Sequence, residues 1–484
     1  MGRYAFLPVL LAVAAAAAAA AAAQNYDHLT IVPDSLAATI APLCARVESR
    51  GMSDTTVTVE DALASSSGRD NQEKLRNFIK RAYGDWGVTH ILLAGDNDQI
   101  PCRLCWVEIN SSYRDWIPTE LYYSALEGDW DRDADNRFGE PEDSVDLCPD
   151  VLLGRLPLAT RAELQHFVDR YLVYTADSTA PYLGDALFAG FDYSPGFCGE
   201  EACEFYDTLL RPASVRAVKV YDSHSGNHED SVKHVLDRGV HVWVQYDHCN
   251  WFGMGCGYTN HGYIMYNNEL ALMHNAPDYS INLSGGCLPS AFDSATCVAE
   301  VLLAAPNGGC VATLGNTRLG FGLNPEPLRT GSHYYCEKAL EGLWPGSGNG
   351  SFAGLVAGQV QAAPLAETNV VWRWCHYQFL LSGEPSMPVW MPASSGVAER
   401  NAPGASRFTP MPTIVRGVLG LPGLGTRSQL PGNWVMSRAA LLDAAGRRVL
   451  SLKAGPNDVS RLSPGIYFVV NYRQTAAARV VVAR

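Results

Sequence analysis

Hydrophobic positions along this chain follow two periods, and the alternation between them predicts its architecture. Residues 29–32, 57–59 and 89–94 are short apolar runs of the kind that strands buried on both faces require. Between the last two the pattern turns helical: Leu75, Phe78, Ile79 and Ala82 recur at i, i+3, i+4 and i+7, with Asp70 and Glu73 as a capping box at the start. Residues 35–50 and 160–174 read as further helices, the second opened by Thr160 and Glu163, and 149–156 read as another strand. A second set follows. Strands at 186–191, 217–221, 240–246, 279–283 and 310–314 alternate with helical stretches at about 200–210, 228–238, 267–275 and 294–305. This alternation predicts an α/β protein built from two doubly wound subdomains with parallel strands.

Two reactive side chains stand at the ends of strands in the second set. The run 240–246 stops at Asp247-His248-Cys249-Asn250, and 279–283 leads into Ser284-Gly285-Gly286-Cys287. In a parallel sheet the ligand crevice lies outside the carboxyl ends of the strands, so His248 and Cys287 are expected to face one cleft. A thiol with a pKa of about 8.5 is mostly protonated at neutral pH, and an imidazole that takes its proton makes it a strong nucleophile. Glycines before Cys287 let main chain approach a substrate carbonyl, and N–H groups at Cys287 and in the His248 loop are the candidates to hold the oxyanion. His261, inside a glycine-rich loop, is the rival base; His248 is preferred because it terminates a buried strand.

An acidic loop carries a second pattern. Asp129, Asp131, Asp133, Asp135 and Glu140 occupy positions 1, 3, 5, 7 and 12 of a calcium-loop spacing, in which alternate oxygens converge on one hard cation. Ala134 stands where such loops need glycine, and a solvated acidic turn is the alternative reading. A structural Ca2+ is therefore the one ion expected, and catalysis by a thiol and an imidazole needs no cofactor. The remaining histidines show no zinc-ligand spacing.

The order of these motifs resembles peptidase family C25, the gingipain-type cysteine peptidases of the caspase-like clan. The matching residues are Tyr246-Asp247-His248, Gly286-Cys287, the helix containing Glu300, Gly315-Asn316-Thr317-Arg318, the stretch from Ile91 through Gly95-Asp96 to Pro101, and Gly154-Arg155-Leu156-Pro157. Leu381-Ser382-Gly383-Glu384-Pro385 stands where the family has Leu-Gly-Asp-Pro, and Asp247 and Cys249 replace the glycines that flank the family's histidine. The resemblance implies a peptidase acting on protein or peptide substrates, with Cys287 as nucleophile, His248 as general base, and a calcium site. Two rivals stay open: a catalytically inactive secreted binding or surface protein on the same fold, which the glycine replacements favour, and a non-proteolytic hydrolase or transpeptidase using the same dyad. Asp96 and Glu300 read as structural carboxylates.

Composition adds boundaries and compartment. The chain has 484 residues, 47% hydrophobic and 18% charged, and a net charge of -14 with no basic cluster to offset it, which excludes a nucleic-acid binder. Residues 1–23 have the positive start, apolar core and small-residue end of a secretory signal, which places the protein outside the cell or on its surface; an uncleaved membrane anchor is the alternative, since the apolar run is long enough to span. Thirteen cysteines suit an exported chain, with Cys198/Cys203, Cys249/Cys256 and Cys102/Cys105 as the nearest candidate pairs. The division expected is an N-terminal α/β subdomain at 24–178, a catalytic subdomain at 179–392, a linker at 393–412 and a small β-sandwich at 413–484. That last segment resembles the sorting domains of bacterial type IX export, which implies the secretion machinery as a partner.

Overall fold

The apolar runs come out as ten strands of one sheet. The computed structural model describes residues 25–193, 198–210, 215–257, 264–324, 326–344 and 350–391, and in the C-terminal region 414–415, 418–421, 439–443, 448–452, 455–462, 465–471 and 477–482. Residues 1–23, read as a signal, residues 393–412, read as a linker, and His261 lie outside the described residues. The chain divides into two units, Met1–Ala393 and Ser394–Arg484.

In the first unit the sheet strands are β1 (His28–Val32), β2 (Asp54–Thr58), β3 (His90–Ala94), β4 (Leu152–Leu156), β5 (Asp185–Gly190), β6 (Arg216–Tyr221), β7 (Val242–Tyr246), β8 (Ser280–Ser284), β9 (Cys310–Asn316) and β10 (Phe379–Gly383). They lie in the order β6-β5-β7-β8-β9-β10-β4-β3-β1-β2. The α/β class is as expected. The two doubly wound halves, however, share one continuous sheet, and β10, which runs antiparallel to β9, is the strand that joins them. It meets β4 at Ser382 and Arg155.

Alternation along the strands shows why both faces must be covered. Leu187, Ala189 and Trp243 enter one apolar cluster with Val232 and Leu236 of α5 (His228–Asp237) and Val298 and Leu302 of α6 (Val298–Ala304). Ala186, Phe188, Val242, Val244 and Tyr246 enter the other, with Ala202, Cys203 and Tyr206 of α4 (Gly199–Leu210) and Tyr335, Ala339 and Leu340 of α7 (Ser332–Leu343). Side chains of period two thus feed two separate cores, which is what a helix-covered sheet requires. The earlier helices, α1 (Asp34–Ser49), α2 (Asn71–Arg81) and α3 (Arg161–Ala176), begin as read: the Asp70 carboxylate accepts from Glu73 N at 2.7 Å, and Thr160 with Glu163 closes a reciprocal capping box.

Buried cations pin the layers together. Arg155 of β4 is fully buried, donates to Glu120 at 2.6 Å and to the carbonyls of Gly95 and Ile100, and lies over the Phe292 ring, in the segment after Cys287. Arg170 of α3 donates to the carbonyls of Leu302, Leu303 and Ala305 at the end of α6 and to that of Cys310. All thirteen cysteines are free thiols, so the three pairs suggested by sequence proximity are not joined; most are buried and packed as small apolar groups. In the second unit, Ile414–Val415, Ala477–Val482, Gly465–Asn471, Ala439–Asp443 and Arg448–Leu452 form a five-stranded sheet in that order, and Val418–Leu421 pairs with Gly455–Asp458.

Candidate active site

β7 and β8 are parallel neighbours, with Gln245 paired to Ser284, so the residues after each strand emerge side by side. Their backbones touch. A Cβ on Gly286 would come within 2.8 Å of the Asp247 carbonyl and 2.7 Å of the Cys249 Cβ, so only glycine lets the loop bearing the histidine lie against the residue before Cys287. Asn316, at the end of β9, fixes that turn: its Nδ2 donates to the carbonyls of Gly285 at 2.9 Å and Gly286 at 2.8 Å.

Cys287 is half-buried, and its sulfur accepts a hydrogen bond from Gly320 N at 3.3 Å. Burial raises the thiol pKa and the Gly320 N–H works against that rise, favouring the thiolate once a base has taken the proton. His248 is exposed. Its Nε2 lies 3.0 Å from the carbonyl oxygen of Tyr193, and its ring meets the Tyr193 ring edge-on at 5.1 Å. A carbonyl can only accept, so Nε2 carries the hydrogen and Nδ1 of the neutral ring keeps its lone pair. Among the described residues no hydrogen bond joins His248 to Cys287.

The residues that stand in place of the family's glycines have defined contacts. Asp247 is buried, and its carboxylate accepts from His248 N at 2.5 Å and Gly257 N at 2.8 Å, closing the hairpin that follows. Burial lifts its pKa to about 6 against those two bonds. The His248 N–H is therefore engaged within its own loop. Cys249 Sγ points to the carbonyl of Gly253 at 3.3 Å. Glu300 accepts from Cys297 N at 2.6 Å and caps α6, a structural role. Two residues here had not been singled out from the sequence: Tyr193 and His333. Tyr193 follows β5, the strand beside β7, so its place at the same sheet edge was a signal that could have found it; nothing in the sequence marks His333, the second residue of α7.

The acidic loop lies apart from these groups in the sequence and closes on itself. Asp131, Asp133 and Asp143 each offer an oxygen within 4.8 Å of the others. Asp129, Asp135 and Glu140 stand outside that set: Asp129 accepts from Asp131 N, Asp135 accepts from Arg137 N, and Glu140 lies 3.7 Å from Arg137. Asp131 also pairs with Arg69. Ala134 adopts φ of +61°, the left-handed turn that glycine takes at this place in calcium loops. Three converging carboxylates fit a hard, oxygen-seeking cation.

A family model described as peptidase family C25 matches residues 21–390. The Arg-specific cysteine proteinase gingipain R is 18% identical with a TM-score of 0.57, over 95% of this chain and 98% of its own. A complex of the pro- and mature domains of RgpB from Porphyromonas gingivalis is 17% identical with a TM-score of 0.56, over 94% and 100%. A third structure, described as a protease, is 16% identical with a TM-score of 0.55, over 94% and 97%. Identities of this size carry the fold alone. No curated protein matches the chain.

Proposed function

The chain belongs to peptidase family C25, and from that premise we propose that it is an exported endopeptidase whose catalytic dyad is Cys287 and His248. It is a cysteine peptidase, a hydrolase acting on protein or peptide substrates. The observation that carries the dyad is the hydrogen bond from His248 Nε2 to the Tyr193 carbonyl, which leaves Nδ1 as the basic nitrogen. In the proposed reaction Nδ1 takes the thiol proton as sulfur attacks the peptide carbonyl. The Gly320 N–H supports the negative sulfur and the main-chain N–H of Cys287 is the donor proposed for the oxyanion. His248 then returns the proton to the leaving amine. Water, deprotonated by the same nitrogen, hydrolyses the thioester and regenerates the thiol.

The second reading is a secreted binding or surface protein that keeps the fold without turnover. It is favoured by Asp247 and Cys249, which replace the glycines that flank the family's histidine. Hydrolysis of a labelled casein separates the two: the wild-type protein should cleave it, and Cys287→Ala and His248→Ala should each lower the rate by at least about a hundredfold, the scale of a general base. Cleavage that survives Cys287→Ala would end the dyad.

A structural Ca2+ held by Asp131, Asp133 and Asp143 is proposed with it. Added Ca2+ should raise the thermal midpoint of the wild type and leave that of Asp133→Asn unmoved. Export rests on the signal-like start at 1–23, and sorting through the C-terminal strands on the resemblance of 413–484 to type IX domains. Among the described residues no helix is long and apolar enough to cross a membrane. Secretion of a fusion carrying residues 1–30 tests the first point, and retention of a chain cut after residue 412 tests the second.

A further inference from the structure

We propose that His333 is a positioning residue for this reaction: it holds Tyr193, and through the Tyr193 carbonyl it holds the His248 imidazole. The proposal rests on the Cys287–His248 reading and deepens it. His333 Nε2 lies 3.1 Å from the Tyr193 hydroxyl, and the same tyrosine presents its carbonyl to His248 Nε2 at 3.0 Å. One residue therefore touches both histidines, by its side chain on one side and its backbone on the other. The His333 ring also stacks on Tyr246, with centroids 4.2 Å apart and planes 21° from parallel. Tyr246 ends β7, two residues before His248, so His333 braces the base through two separate contacts.

Packing alone does not account for a histidine here. His333 is 6% exposed, and its Nδ1 is buried with no partner among the described residues; a Cβ on Gly285 would sit 2.5 Å from it. An unpartnered buried ring nitrogen is costly, and a phenylalanine would fill the same stacked space without that cost. What phenylalanine lacks is the bond to the Tyr193 hydroxyl. Burial lowers the His333 pKa to about 3, so the ring stays neutral and contributes orientation and no charge. Tyr193 in turn is clasped by Tyr246 at 5.3 Å and His248 at 5.1 Å, and among the described residues the one polar tether of its side chain is His333. Without it Tyr193 is held by ring packing alone, and the backbone that presents its carbonyl to His248 is anchored less firmly.

The test is the pH dependence of Cys287 alkylation by iodoacetamide, resolved by peptide mass spectrometry so that the other thiols do not interfere. In the wild type, alkylation between pH 6 and 8 should fall on His248→Ala. Tyr193→Phe and His333→Phe should each slow it by about tenfold, the rate equivalent of one hydrogen bond, and the double variant should be no slower than either single one. His333→Gln, whose amide still reaches the hydroxyl, should recover most of the rate. Should His333→Phe fail to fold, Tyr193→Phe, which removes a single oxygen, decides alone. A wild-type profile that depends on His248 but is unchanged in Tyr193→Phe overturns the positioning role. Losses that multiply in the double variant do the same. A wild-type profile indifferent to His248→Ala overturns the dyad and the positioning role together.

Discussion

At the residue scale Cys287, the proposed nucleophile, is held by its neighbours' hydrogen bonds more than by its own. Asn316 is fully buried, and one of its nitrogens spans the carbonyls of Gly285 and Gly286. Asn316→Ala leaves both carbonyls buried without that donor, and each such loss costs about 1–3 kcal/mol, so urea unfolding should show a destabilisation of about 3 kcal/mol. Peptidase activity should fall further than stability does, because the turn before Cys287 relaxes. His248 and Cys287 were legible in the sequence because each ends an apolar run, and topology alone then brings them to one sheet edge. Tyr193 was legible only in part. It too follows a strand, but what recruits it is a backbone carbonyl, and no residue type announces a carbonyl.

At the scale of elements, spacing was readable and convergence was not. The aspartates of the acidic loop follow the calcium pattern in sequence, yet Asp143 displaces Asp129, Asp135 and Glu140 from the converging set. The reason is the turn at Gly139, φ +87°, after which Asp143 folds back to accept from Gly139 N at 2.9 Å and Glu140 N at 3.1 Å. A pattern of alternate residues cannot register such a reversal. The turn at Ala134 gives a direct check. An alanine at φ +61° is strained where glycine is not, so Ala134→Gly should stabilise the protein by up to about 1 kcal/mol in chemical denaturation, with activity unchanged. A loss of stability would mean that glycine's greater freedom in the unfolded chain outweighs the relief of strain.

For the whole molecule, one buried charge network joins three distant parts of the sequence. His28, at the start of β1, places Nδ1 2.6 Å from Asp54 at the start of β2 and Nε2 3.1 Å from Glu384, just past β10. Tyr171 of α3 donates to the other oxygen of Glu384 at 3.0 Å. Burial opposes the charge on His28, but the bonds to Asp54 and Glu384 prevail and raise its pKa to about 9. Burial opposes ionisation of Glu384 as well, and the His28 bond still holds it down to about 2. By linkage, the His28 contribution is complete below its unfolded pKa of about 6.5 and is lost as pH rises through the folded value. That of Glu384 is complete above about 4.3 and is lost as pH falls through its folded value. The thermal midpoint should therefore be highest near pH 5–6 and decline toward pH 9, and His28→Gln should flatten the alkaline decline; an unaltered alkaline limb would assign the decline to other groups. In sequence, Glu384 was visible only as a variant of a family motif, because its partner stands at the opposite end of the unit.

The central place of β10 bears on when this enzyme can act. Its five residues are the last strand of the unit to be synthesised, yet they lie between β9 and β4, in the middle of the sheet. Without β10 the strands up to Gln378 can pair only as two separate half-sheets, each with a bare edge, and Asn316, which sits opposite Phe379, lacks its neighbour. The strand that carries Asn316 is flanked on both sides only when the end of the unit threads home. Synthesis of the chain and closure of the sheet behind the proposed nucleophile are thus set apart in time.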